Sequence, residues 1–534
     1  MLFHSPIFIL GFLPICFAGF FALGHVAGAT GALIWLTAAS LVFYGWWNPA
    51  FLPLLISSVL VNHTIAGKIR HSEQPRTWMA AGVALNLAVL AWFKYADFLL
   101  HIVVSASPPL GITLPLGISF FTFQQIMMLV DTARAATSSP VMDRSPVSWP
   151  GLTRPSTTCG VCSGKVVDGR TKSGHDAMGT MGTAAAGASI VHAFLPYAAF
   201  VTFFPHLIAG PIVRGAEIIP QLTAPDFARP RDKNLAEGLL IFLLGLGKKC
   251  VLADMFGSFA DTGFGAAARG IDLTFFEAWY ATLSYALQIY FDFSGYSDMA
   301  IGLARMLNVR FPLNFDSPYQ ATNISDFWRR WHITLGAFLR DYLYIPLGGS
   351  RVGRLRQAAN LMATMLLAGL WHGAGWNFVV WGGLHGLFLV IHREYRRLLP
   401  PLPAMAGQAL TLAAVILAWV PFRAASLSAT LIVFRGLFGL SGVALPQMIV
   451  AAFPPLSAFA EPVAVMPSLG DARTLSFPEV SACLLLGWFI VLALPNIHHM
   501  TERSRHLVLT ASFALSAQAV FFAPHVAPFL YFRF

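Results

Sequence analysis

LMATMLLAGLWHGAGWNFVVWGGLHGLFLVIH, residues 361–392, runs apolar, then small, then aromatic, and carries Trp371-His372 at the change of character. Apolar runs at 361–371 and 378–391 read as helices buried in protein or lipid on every side. Gly369, Gly373, Gly375, Gly382, Gly383 and Gly386 strip bulk from around His372, Trp376, Asn377 and His385. Small residues let helices approach closely, and they also leave room beside His372 for a thin substrate. His385, about two helical turns beyond Asn377, reads as a packing or hydrogen-bonding residue rather than a catalyst.

Forty positions upstream a second pair, Trp331-His332, lies in DFWRRWHITLGAFLRDYLYIPLGG, residues 326–349. The surrounding 288–349 stretch is anomalously polar: Asp292, Asp298, Asp316, Asp326 and Asp341 alternate with Arg305, Arg310, Arg329, Arg330 and Arg340 among aromatics. Such charges must be paired or line a wet cavity. After the turn-forming Pro312 and Pro318, Asn323 or Ser325 can cap a new helix. On it Trp328, Trp331, His332, Leu335 and Leu339 follow helical spacing and share one face, with Asp326 one turn before Arg330 as an i, i+4 partner. An interfacial amphipathic helix anchored by Trp and Arg is the other reading of this segment.

The rest of the chain fixes the class. Of 534 residues 56% are hydrophobic and 11% charged, and the mean hydropathy is +0.66, values no soluble globule of this size has. Apolar runs long enough to cross a hydrocarbon layer of roughly 30 Å recur at 7–23, 32–47, 51–65, 79–98, 194–212, 236–251, 275–293, 361–371, 378–391, 409–420, 429–440, 480–494 and 507–522. Several fall short of a full crossing, so 11 to 13 spans are expected, with re-entrant or half-membrane helices among them. Residues 1–23 have no basic n-region and no convincing small-residue cleavage site before the next apolar run, so the first helix is expected to stay in the mature chain. The formal charge of +10 sits in short loops, as in Lys68/Arg70/Arg76, Lys248/Lys249, Arg351/Arg354/Arg356 and Arg393/Arg396/Arg397. This places those loops in the cytoplasm and argues against nucleic acid.

In FLPYAAFVTFFPHLIAGPIVR, residues 194–214, Pro205, Gly210 and Pro211 interrupt an apolar run, which at membrane depth is tolerated where backbone is buried or lines a cavity. His206 in that break reads as a packing histidine. Just before it, residues 137–189 hold one leucine, no isoleucine and no phenylalanine, so they cannot supply a core. The segment reads as a disordered insertion resembling translated copies of a dispersed bacterial repeat element; a regulatory or partner-binding loop is the alternative. It contains Cys159-x-x-Cys162 and His175, but no fourth ligand is evident and no metal site is read. Cys16, Cys250 and Cys483 are core residues. The chain divides into amino-terminal helices (1–136), the insertion (137–189), a catalytic core (190–400) and carboxyl-terminal helices (401–534).

An imidazole among membrane helices can take a proton from a hydroxyl and return it, or hold an acyl-transfer transition state by hydrogen bonding. A proton-coupled transporter is the competing class, although its usual repeats and acidic relays are not evident. The blocks FFTFQQIMMLVDTAR, FVTFFPHLIAGPIVR, YFDFSGYSDMAIGLARMLNVRFPLNFDSPY, ISDFWRRWHITLGAFLRDYLYIPLGG, GLWHGAGWNFVVWGGLHG and the terminal PFLYFRF resemble the membrane-bound O-acyltransferase family, most of all its alginate O-acetyltransferase branch.

The resemblance implies an all-α, multi-pass helical funnel in the bacterial inner membrane, pierced by a tunnel. His372 would be the catalytic base or acyl relay at its constriction, and His332 would position or polarise the thioester carbonyl. It also implies acetyl-CoA as a cytoplasmic acyl donor with no permanently bound cofactor, a periplasmic SGNH-type acetyltransferase partner and polysaccharide assembly machinery. Trp331 and Trp371 flank the histidines, Asp326 or Asn377 are candidates to orient an imidazole, and Arg329, Arg330, Arg340 and Arg351 are candidates for donor phosphates. The acceptor would be an alginate-like exopolysaccharide. A lipid, teichoic acid or peptidoglycan acceptor, or a transporter or scaffold without chemistry, are the alternatives.

Overall fold

The structure is a computed structural model that describes residues 1–104, 108, 110–137, 194–463, 477–500 and 529–530. The sequence-read insertion, apart from Thr137, and the apolar run at 507–522 lie outside the described residues. The architecture is helical, as expected; its strands are a parallel pair of three residues each, Ala444–Pro446 beside Glu461–Val463.

Among the described residues four helices are long and apolar enough to cross a membrane: Ile7–Gly45, Pro49–His71, Pro75–Val103 and Ala404–Arg423; Leu427–Leu437 and Pro478–Ala493 are shorter apolar helices. The expected 11 to 13 included shorter and half-membrane helices, and one of the runs, 507–522, lies outside the described residues. The runs read separately at 7–23 and 32–47 meet at Gly28, whose φ of 65° and ψ of −163° leave the helical region and divide Leu13–Gly45 into two helices across a kink. Interior helices meanwhile face protein instead of lipid and so carry polar residues that hydropathy penalises.

Phe275–Met306 is the clearest of these. Its 32 residues are started by a capping box, in which Thr274 and Glu277 satisfy each other's end of the first turn. The helix is buried along most of its length, yet it contains Asp292 and Asp298. It packs on Asp232–Gly247 so closely that a Cβ on Gly238 would lie 2.6 Å from the Gly302 carbonyl oxygen; glycine here is a condition of contact.

Two further features place the site. Arg354–His372 returns on Trp376–Leu398 as a tight hairpin, with Gly369 and Gly382 set against the facing backbone. The interrupted run at 194–212 is broken as its prolines and glycine imply: Phe194–Thr202 stops, Phe204–Leu207 makes one turn, and His206 is buried there. Its Nε2–H donates to the Phe200 carbonyl and its Nδ1 accepts from Gln124, both at 2.8 Å, so it is the satisfied packing histidine that was expected.

Candidate active site

His372 is the last residue of Arg354–His372, and its ring is packed at 4.9 Å from Trp371, 5.0 Å from Trp381 and 5.2 Å from Phe422. Terminal carbonyls of a buried helix need donors. Lys94 provides them, donating to the carbonyls of Trp371 and of His372, the latter at 3.1 Å, while the Tyr95 hydroxyl donates to Leu370 at 2.8 Å. Sequence reasoning passed over Lys94, although a lone lysine inside the apolar run 79–98 was a usable signal.

The expected single helix through Trp328 and Leu339 does not form. Ile324–Arg330 is capped by Asn323, whose side chain accepts the Asp326 amide at 2.9 Å. The chain is then extended at Trp331, and His332 sits in the left-handed region (φ 44°, ψ 55°) before Ile333–Leu339 begins. Left-handed backbone is costly for a side chain with a Cβ and persists only when its surroundings impose it. Here the Ile333 amide donates to the Asn314 carbonyl at 2.9 Å and the Asp316 amide to the Arg330 carbonyl at 2.9 Å, pinning the break on both sides. Trp331 packs it from within, on Phe327 at 5.7 Å and Trp419 at 4.9 Å.

The break aims a fully buried imidazole. His332 Nδ1 lies 3.2 Å from Asn314 Oδ1. The orientation of that amide is set by its other end, since Asn314 Nδ2 donates to Ser297 Oγ at 3.1 Å while Thr334 Oγ1 donates to the same Oδ1 at 3.0 Å. Nδ1 therefore carries the proton, and Nε2, buried without a partner among the described residues, presents a lone pair. Asn314 was not among the sequence candidates; nothing in NFDSP distinguishes it from an ordinary turn residue. Asn314→Leu is expected to cut turnover by roughly 10- to 100-fold, the usual cost of removing the group that orients an imidazole; steady-state assay of the purified variant checks this.

The two histidines both approach one indole. Trp371 lies 6.4 Å from the His332 ring and 4.9 Å from the His372 ring. The orienting candidates proposed from sequence are engaged elsewhere. Asp326 pairs with Arg330 at 3.1 Å, the expected i, i+4 partner, and Asn377 donates to the Ala424 carbonyl at 2.7 Å. Of the arginines, Arg340 is held by Asp341 at 2.9 Å, an acid shared with Arg214. Arg329 and exposed Arg351 have no carboxylate partner among the described residues.

Trp371 also lines two cavities. The larger, about 880 Å³, is apolar and follows a stripe on Pro75–Val103 from Arg76 through Val83 and Leu87 to Tyr95, about 28 Å at 1.5 Å per residue. Ile118–Thr137 forms its other wall, from Arg134 at the Arg76 end to Phe123, which stacks on Trp371 at 5.1 Å. The smaller, about 140 Å³, lies beside Lys94, Trp47 and residues 114–120 and also ends on Trp371. The larger cavity thus runs from the Arg76 end of Pro75–Val103 to Tyr95, and beside it, at Lys94, 18 positions and about 27 Å from Arg76, the smaller one also reaches Trp371.

This geometry agrees with what the chain resembles. The sequence pattern of the membrane-bound O-acyltransferase family, MBOAT, matches residues 98–434. The chain belongs to that family. It is 40% identical over 553 aligned positions, covering 100% of this chain and 98% of the relative, to the peptidoglycan O-acetyltransferase of Helicobacter pylori. It is 32% identical, with 100% of both chains covered, to the probable alginate O-acetylase AlgI of Azotobacter vinelandii. A more distant match, 29% identical over 37% of this chain and 50% of the relative, is the teichoic acid D-alanyltransferase of Streptococcus thermophilus. The chain is thus a membrane O-acyltransferase, and its relatives divide over the acceptor.

Proposed function

We propose that this MBOAT protein carries acetyl groups from a cytoplasmic donor, acetyl-CoA, through the bacterial inner membrane for O-acetylation of a polysaccharide outside it. The observation that carries the reading is Trp371, which lines both cavities and has the buried rings of His372 and His332 at 4.9 Å and 6.4 Å. Arg76 marks the cytoplasmic end by the positive-inside rule, so the large cavity is the donor's way in. Lys94 and the smaller cavity face the other leaflet, where the acceptor waits.

In this mechanism His372 takes the proton of the attacking hydroxyl and returns it to the departing thiolate. His332 contributes as an acceptor: Asn314 holds its proton on Nδ1, so Nε2 orients the incoming hydroxyl. Polarising the thioester carbonyl, the role first expected of His332, requires an N–H that this tautomer does not offer. The transferred acetyl leaves to a periplasmic SGNH-type transferase, which places it on the polymer within the assembly machinery.

The sequence favours an alginate-like exopolysaccharide as the acceptor, whereas full-length identity of 40% to a peptidoglycan O-acetyltransferase supports peptidoglycan as a second reading. Mass analysis of exopolysaccharide and of muropeptides from wild-type and deletion cells is the test. Loss of ester acetate from the first supports the leading reading, loss from the second the alternative, and loss from neither overturns both.

A further inference from the structure

We propose that the indole N–H of Trp381 holds the carbonyl oxygen of the transferred acyl group as it becomes negative. The inference rests on the acyl-transfer reading of this site. Trp381 is fully buried on Trp376–Leu398, one helical turn after Asn377, and its ring lies 5.0 Å from that of His372. Around it stand Trp328 at 5.8 Å and His385 at 4.9 Å, with Trp328 and His385 5.1 Å apart.

Hydrogen-bond accounting in this cage does not close. Trp328 Nε1, Trp381 Nε1 and both nitrogens of His385 are buried without a partner among the described residues. An indole only donates, and a neutral imidazole donates once and accepts once. The cage therefore holds three N–H donors against one ring acceptor, and the open Oδ1 of Asn377 adds a second acceptor and still leaves a donor over. A buried N–H without an acceptor is costly, so such an imbalance persists where an incoming group supplies the acceptor. His385 lies 5.1 Å from Trp328 and 4.9 Å from Trp381, and its one acceptor nitrogen can serve only one of the two indoles. Of these two indoles Trp381 is the one in ring contact with His372, and so the one placed to serve an acceptor at the reacting group.

A thioester brings the missing acceptor. Attack by the hydroxyl oxygen forms the new C–O bond and moves the carbonyl π pair onto oxygen, where the Trp381 N–H meets it. The hydroxyl proton goes to imidazole, and collapse re-forms the carbonyl, breaks the C–S bond and sends the proton to sulfur. A donor fixed where charge develops stabilises the transition state more than the ground state.

The test is Trp381→Phe in purified protein, with incorporation of benzothienylalanine at 381 as a second variant that keeps the bicyclic shape and loses only the N–H. Both are expected to lower kcat by about 100-fold or more, with donor KM, affinity for a non-transferable thioether analogue of acetyl-CoA and melting temperature unchanged. Turnover within a few fold of wild type in the benzothienylalanine protein would overturn the proposal, as would a fall in melting temperature or analogue affinity matching the loss of kcat. A loss confined to Trp328→Phe also overturns it. Wild-type protein without acyl transfer in the same assay would instead remove the acyltransfer reading of the site.

Discussion

His372→Ala is expected to reduce acyl transfer by about 10²- to 10⁴-fold, the contribution of a positioned proton-transfer group. It is also expected to leave the amount of protein in the membrane close to wild type. The first half follows from place: His372 ends its helix within ring contact of Trp371, the indole that both cavities and His332 share. The second follows from how that helix end is held. Lys94 and Tyr95 bind the carbonyls of Leu370, Trp371 and His372, contacts to backbone that an alanine side chain keeps. What is lost is packing against Trp381 and Phe422, and His372→Gln, closer in volume, separates the two causes. Transfer is measured as ester acetate on the polymer of cells lacking the native gene, and as thiol release by purified protein. If either variant supports wild-type transfer, His372 is not the base; if both vanish from the membrane, the residue is structural.

His372 and His332 were legible because each interrupts its surroundings: one stands among glycines between apolar runs, the other among paired charges. The geometry between them was not. The spacing of Trp328, Trp331, His332, Leu335 and Leu339 continues through the break, and no glycine or proline marks position 332. The left-handed turn there is imposed by Asn314 and by the Asp316–Arg330 backbone bond, contacts from a segment some 16 to 18 residues away in sequence. Periodicity reports the face a residue would occupy in a helix; it is silent on tertiary bonds strong enough to stop the helix. The kink at Gly28 was legible, since GHVAGATG at 24–31 lowers local hydropathy where the backbone leaves the helical region. Lys94 was hidden because it and Asp97 are averaged away in an otherwise apolar window.

Lys249→Met should be the most damaging single change outside the site, costing about 3–5 kcal/mol of stability as the loss of one member of a buried ion pair does. Lys249 and Asp292 are each 2% exposed and 2.7 Å apart, and Lys249 also reaches Asp254 at 2.7 Å. Its neighbour Lys248 meets Asp298 at 2.6 Å, which His498 contacts from the other side at 2.9 Å. Two adjacent lysines serve two acids six residues apart because Lys248–Ala253 is a π-turn, a local widening that re-aims side chains where an α-helix would send them about 100° apart. The acids in turn tie down the end of the chain: the Leu530 amide donates to Asp292 Oδ2 at 2.8 Å. Methionine fills the space of the lysine stem but leaves Asp292 charged in a dry interior. The double change Lys249→Met, Asp292→Leu removes that charge and should regain a large part of the loss, a coupling that a double-mutant cycle on melting temperature measures. Breaking the exposed Arg231–Asp226 pair should cost at most about 1 kcal/mol. A Lys249→Met protein as stable as that surface control would mean water or a relaxed backbone already solvates Asp292, and that the polar stretch at 288–349 is a wet cavity lining in place of a paired interior.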